Sequence, residues 1–306
     1  MTTPKLPLAT LAAMAFVGCA TKASSAPVHP SPPGDPAPAS FEAVVVGTIH
    51  RSHLTEPAYP LSYLAGLIET YRPDLILVEV RPEPFALGRL EDGPFEMTYV
   101  TWLGQARGIA VSPVDWFRDG DVGVDADPEP EPADRNAFEE ETAALEARMD
   151  RPLTFAEVHS PRQDAAVLST LNVRARYLAG NAAWNRRQAW LHQQALEAIR
   201  RRGAHKVLAF VGAFHRPELE AFLAGQGGSV RSPRSIRFDA AKRAAVPPQV
   251  VQLWREGAAR LRAQAATAPV KRAEALAGKA RYLEVAADRA GQCCVEPTAF
   301  ETPSSR

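Results

Sequence analysis

Two short stretches of the chain spell the same chemistry. Gly47-Thr48-Ile49-His50 closes the apolar run Val44-Val45-Val46, and Gly212-Ala213-Phe214-His215 closes the run Ala209-Phe210-Val211. With 19 Gly and 7 His in 306 residues, chance would place about 0.4 Gly-x-x-His spacings, and this chain has two, each just beyond an apolar strand. A glycine lets the backbone leave a strand sharply, so that a side chain a few residues on can turn over the sheet end. Glu79 lies near the end of a third apolar run, in LILVEV, and Asp115 follows a fourth, in IAVSPVD. Histidine and carboxylate are the side chains of general acid–base work and of divalent-metal binding. Glu79 sits in the most apolar run of the chain, where an unpaired carboxylate is costly, so it calls for a partner or a function.

An arginine joins this set. In the helical stretch WNRRQAWLHQQALEAI, Trp184, Gln188, Leu191, Ala195 and Ile199 share one face at helical spacing. Arg187 borders that face and Arg186 points the opposite way. An inward Arg orients a carboxylate or steadies developing negative charge, or else pairs with Glu79 as a structural salt bridge. His53 is three residues from His50 and reads either as a further ligand or as a residue of an exposed loop. The arginines at 200–202 read as a solvated last helical turn, favoured by the helix dipole.

The elements that must position these residues follow from the hydrophobic pattern. Strands are expected over 42–46, 74–80, 109–114 and 205–211, with an edge strand over 229–238. The run at 74–80 is continuously apolar, as in a parallel sheet covered on both faces. Helices are expected over 61–71, 97–107, 137–149, 218–223, 249–266 and 271–288. A long helical stretch over 165–202 is expected to break near Gly180. The acidic, Pro-rich residues 125–134 read as a surface excursion. This order predicts an α/β fold, a central mainly parallel sheet flanked by helices, with a helical C-terminal extension. Ligands collect at the carboxyl ends of strands in such sheets. His50, Glu79, Asp115 and His215 would then meet on one rim, although far apart in sequence.

The ordered series GTIH, PDLILVEV with Arg81, QARGIAVSPVD, an Arg-bearing helix and VGAFHRPELEAFL resembles the TraB/PrgY/GumN family. That family includes the TIKI proteases and stands near the erythromycin-esterase and ChaN-like proteins. The resemblance covers residues 43–225. It implies a site of His50, Glu79, Arg187 and His215 with Asp115 nearby. It also implies divalent-metal-dependent proteolysis of the TIKI kind.

The first nineteen residues carry one charge, Lys5, then an apolar core and a small-residue ending, Gly18-Cys19. This pattern reads as a signal peptide over 1–18. Phe16-Val17-Gly18-Cys19 resembles a bacterial lipobox, with Cys19 diacylated as the mature N-terminus; the other reading is ordinary signal-peptidase cleavage nearby. Residues 19–40 are Pro-rich and read as an extended tether. Ala20, in place of an Asp, points by that resemblance to the outer rather than the inner membrane of a bacterial envelope. Residues 41–240 then form the α/β domain, 241–290 a helical extension and 291–306 a disordered tail. Cys293 and Cys294 are adjacent and suit neither an unstrained disulfide nor a zinc site.

Charge narrows the partners. Lys+Arg and Asp+Glu are equal at 35 each, so the basic excess of a nucleic-acid binder is missing. No apolar run reaches the ~20 residues that span a bilayer. The expected partners are the membrane, through the lipid, and a peptide or small-molecule substrate. The leading expectation is a metal-dependent hydrolase, protease- or esterase-like. In it His50, His215 and Glu79 hold Zn, Mn or Co with an open position for water, and Arg187 steadies the substrate. In a metal-free version one His acts as base on water and Glu79 orients it. The alternative is a non-catalytic lipoprotein that binds haem or another ligand, of ChaN-like type.

Overall fold

The computed structural model describes residues 40–117, 130–149, 153–178, 182–239 and 245–290. The expected signal peptide, Cys19, nearly all of the expected tether, residues 125–129 of the acidic stretch and the tail from Gly291 lie outside the described residues. Five strands form one sheet: β1 (Glu42–Thr48), β2 (Leu75–Val78), β3 (Ala110–Pro113), β4 (Lys206–Gly212) and β5 (Ser229–Arg231). Their order is β3-β2-β4-β1-β5, and every pairing is parallel. All carboxyl ends therefore open onto one rim, as expected for a parallel α/β sheet.

The helices are α1 (Ser62–Tyr71), α2 (Pro82–Ala86), α3 (Phe95–Ala106), α4 (Arg135–Met149), α5 (Phe155–Val158), α6 (Pro161–Tyr177), α7 (Ala182–Arg202), α8 (Arg216–Gly225), α9 (Pro248–Ala265) and α10 (Val270–Arg289). Alternate strand residues feed two cores. Val44, Val46, Ile76, Val78, Leu208 and Phe210 pack with α1, α3, α9 and α10 on one face. Ala43, Val45, Leu75, Leu77, Val207 and Ala209 pack with α7 and α8 on the other. Side chains of a strand alternate between faces, so a strand covered on both must be apolar throughout. The C-terminal hairpin α9–α10 shares the first core. Trp254 is buried there, its indole N–H donating to the Phe95 carbonyl at 2.9 Å.

The expected edge strand over 229–238 is corrected to three residues. Pro233 opens a 3-10 turn over Pro233–Ser235, because proline lacks the ladder N–H and fixes φ. The long stretch over 165–202 is two helices, α6 and α7, with Gly180 itself outside the described residues. Among the described residues no helix is long and apolar enough to cross a membrane.

Candidate functional site

Four neighbouring strand ends deliver the candidates in a row. Asp115 follows β3, Glu79 follows β2, His215 follows β4 and His50 follows β1, matching the spatial order of the strands. Arg187 reaches across from the first turns of α7. Its Nε donates to Asp115 Oδ1 at 2.7 Å and its Nη2 to Asp115 Oδ2 at 2.8 Å. The same Nη2 donates to Glu79 Oε1 at 2.8 Å. Both carboxylates are buried, and the guanidinium fork is what makes that tolerable: removing one member of a buried charge set leaves an uncompensated charge. Arg186 is exposed. The helical face therefore selects Arg187.

Glu79 is further loaded. Its Oε2 accepts the Gly212 N–H, and Oε1 lies 3.5 Å from His215 Nε2. Burial works against its charge, but His215, Arg187 and His50 together hold the carboxyl well below the usual carboxylate range. His215 is 3% exposed at the start of α8. Its Nδ1 donates to Gln188 Oε1, while Gln188 Nε2 donates to Glu218, and the ring stacks on Trp184 at 4.5 Å between centroids.

His50 is held differently. It opens a 3-10 turn, His50–Leu54, with a left-handed backbone at φ +48°. That region is uncommon for a non-glycine residue and persists where the surroundings dictate it. Its side chain is 46% exposed, and Nδ1 meets the fully buried Glu96 carboxylate at 2.8 Å. Burial opposes a charged imidazole here, but Glu96, with Glu79 adding, raises the pKa to about 9. Gly212 explains the second glycine: a Cβ there would stand 2.7 Å from His50 Nε2 and 3.3 Å from Glu79 Oε2. The two functional groups share the space that a side chain would fill.

A cavity of about 720 Å³ opens over this row. His50, Glu79, Asp115 and Arg187 line one side, and Lys279 and Tyr282 of α10 line another. The C-terminal helices thus wall the cleft. His215 lies behind Glu79 and does not line it.

His53 is corrected. Rather than lying on an exposed loop or turning toward His50 as a ligand, it is 2% exposed, accepts the Ile49 N–H through Nε2 at 3.2 Å and faces the Tyr59 carbonyl through Nδ1 at 2.8 Å. Two residues escaped the sequence reading. Glu96 sits in the first turn of α3, where an acidic residue reads as an ordinary helix start. His159 lies in a stretch with no periodic signal, yet its Nε2 accepts the Gly47 N–H at 3.0 Å.

The expected metal ligands can be tested against this geometry. Glu79 has both oxygens engaged, one by a guanidinium, and His215 has both ring nitrogens facing protein partners. Among the described residues no group of three His, Cys, Asp or Glu is disposed to hold an ion. As arranged, the set does not present three open donors to one point. No family model matches the chain, and neither a curated protein nor a solved structure matches it.

Proposed function

We propose that the cleft hydrolyses a carbonyl compound, ester or amide, with His50 as the group that moves the proton. The observation carrying this reading is the His50–Glu96 pair beside the Glu79–Arg187–Asp115 set at the mouth of one cavity. Glu96 holds the Nδ1–H, so Nε2 is the nitrogen turned toward the cleft. Neutral His50 takes a proton from water, the oxygen attacks the carbonyl carbon, and Glu96 steadies the imidazolium that forms. His50 then returns the proton to the leaving group. Arg187, fixed by two carboxylates, places positive charge where the oxyanion develops. The ordered motifs that resemble the TraB/PrgY/GumN family support hydrolysis by this residue set, though the resemblance implies the metal-assisted version of it.

A metal-assisted version has one observation in its favour: His50 Nε2 and Glu79 Oε2 face a common space above Gly212. It requires Arg187 to release Glu79 and Gln188 to release His215. The full-length protein, assayed on p-nitrophenyl acetate and on a fluorogenic peptide library with and without EDTA, separates the two. Chelator-resistant turnover lost in His50→Gln supports the metal-free reading. EDTA-sensitive turnover restored by Zn, Mn or Co supports the other. Haem binding with no turnover on either substrate overturns both in favour of a carrier.

We further propose that the domain is held at a bacterial envelope by a lipid on Cys19, outer membrane before inner. The lipobox-like run and the Pro-rich stretch behind it support this. Cys19→Ser is expected to move the protein from the membrane fraction to the soluble extract; a variant that still sediments with membranes sinks the anchor.

A further inference from the structure

The strained backbone of His50 raises the question of what holds it. Every main-chain polar group of Gly47 and Ile49 that leads into it has a partner. Gly47 faces the β5 side of β1, but β5 pairs only with Glu42, Ala43 and Val44, so the Gly47 N–H lies beyond the end of that strand. His159 Nε2 takes it at 3.0 Å. The Gly47 carbonyl accepts from the Tyr59 hydroxyl at 2.9 Å. The Ile49 N–H goes to His53 Nε2 at 3.2 Å, and the Ile49 carbonyl accepts from the Ser52 N–H at 3.0 Å. Ala213 N–H closes the other side on the Thr48 carbonyl at 3.0 Å.

All three cradle side chains are buried, and their rings pack together. Tyr59 meets His53 edge-on at 4.6 Å and His159 at 5.8 Å between centroids. The tautomers are dictated. His159 Nδ1 sits 2.7 Å from the Phe155 carbonyl and His53 Nδ1 sits 2.8 Å from the Tyr59 carbonyl, so each Nδ1 must carry the proton. Each Nε2 must then be a bare acceptor, since a backbone N–H points at it. A second proton on either ring would set N–H against N–H.

We propose that His53, His159 and Tyr59 are positioning residues for His50: as neutral imidazoles the two histidines fix residues 47–49 so that His50 stands over Gly212, and their protonation releases it. This rests on His50 being the working group but goes beyond it, because none of the three lines the cleft. The charged and titratable groups around them are few. His53 faces Glu96, His50 and Tyr59; His159 faces Tyr59, Arg216, His53 and Arg234, with Asp164 and Glu220 paired to Arg216 in the same pocket. Burial lowers His53 to about 4, against the pull of Glu96. Burial and Arg216 lower His159 to about 3. The sign follows: an opened segment takes up protons near the ordinary histidine value of about 6.5, the closed one only well below it. The closed arrangement therefore loses stability as pH falls from about 6.5 toward 4.

The test compares His159→Leu with His159→Gln in the full-length protein. Glutamine can still accept the Gly47 N–H but does not titrate. His159→Leu is expected to lower the exchange protection of the Gly47 amide about tenfold. It is also expected to lower kcat on p-nitrophenyl acetate about 10²-fold, with KM little changed. His159→Gln is expected to restore both and to keep Gly47 protected at pH 5, where wild type loses protection. Equal losses in the Leu and Gln variants that follow the global Tm would reduce His159 to a packing residue and overturn the proposal, as would unchanged Gly47 protection in His159→Leu. The exchange arm reads the cradle without turnover, so an inactive wild type refutes the hydrolase reading while leaving the cradle decided.

Discussion

The two Gly-x-x-His copies have the same spelling and lie side by side, with Thr48 opposite Gly212 in the β1–β4 register. Their histidines nonetheless end in opposite situations. His50 turns left-handed into a 3-10 turn, lines the cavity and keeps one nitrogen for it. His215 goes straight into α8, is buried, and faces Gln188 and Glu79. The difference comes from what each strand end meets. Beside β1, β5 stops short of Gly47, and side chains from distant segments capture the backbone. Beyond β4 a proline at position 217 starts a helix at once. Even the arginines after the histidines diverge: Arg51 is exposed and donates to the Tyr282 hydroxyl at 2.6 Å. Arg216 is 3% exposed and bonds Asp164, Glu220 and the Val158 carbonyl. Through Val158, the second copy braces the segment whose His159 holds the first. One copy lines the cleft and the other supports it.

The sharpest way to break this asymmetry is to remove each imidazole. His50→Ala is expected to lower kcat by about 10²–10⁴, the range of a lost general base. Tm should fall as well, because the fully buried Glu96 carboxylate loses the imidazole that pairs with it. His215→Ala weighs on stability more than on turnover. It leaves Gln188 and Glu79 without a buried partner and empties the space against Trp184, so about 1–3 kcal/mol of stability should go. Turnover of the folded fraction should fall less than in His50→Ala. Thermal melts beside kcat on the same preparations decide it; equal kcat losses with equal Tm would mean that the copies do the same job.

A second measurement sharpens the role of the first copy alone. With His50 held at about 9, the neutral, proton-accepting form is the minority at pH 7. The rate should climb with pH, reach half its plateau near 9 and level off above it. Glu96 is what raises it, after burial has been offset. Glu96→Gln removes that pull, so the rising limb should move to lower pH while the plateau drops by about tenfold or more through lost orientation. A limb that stays in place in Glu96→Gln would detach Glu96 from His50.

Much of this was legible because it depends on local pattern. Apolar runs at 42–46, 74–80 and 205–211 mark buried parallel strands, and parallel strands put all their ends on one rim. Glu79, Asp115, His50 and His215 therefore gather without any knowledge of strand order. Arg187 was legible from helical phase. What was not legible depends on contacts that no period encodes. Glu96 looks like any acid in a first helical turn, and only the approach of the 3-10 turn after β1 to α3 makes it the partner of His50. His159 comes from a stretch between two helices, 112 residues from the amide it binds. His53 reads as an exposed residue or a ligand for the same reason: its burial depends on Tyr59 packing edge-on against its ring. The short β5 owes its length to a single proline, which the alternation of 229–238 conceals.

The smallest expected effect separates two adjacent arginines, and it tests the brace shared by both copies. Arg187 bonds Asp115 through two nitrogens and Glu79 through one of them. Lysine keeps the charge but offers a single point, so it can serve one carboxylate well and must leave the other with water or with nothing. Arg187→Lys should therefore cost about 1–3 kcal/mol. Because Glu79 sits between Arg187 and His215, turnover should also fall, by about tenfold, as the charge over the reacting carbonyl shifts. Arg186 is exposed one step around the helix, and surface substitutions of this kind stay within about 0.5 kcal/mol. Arg186→Lys should leave both Tm and kcat where they were. If the two variants behave alike, α7 presents its other face to the strand ends, and the link from Arg187 through Glu79 to His215 is broken.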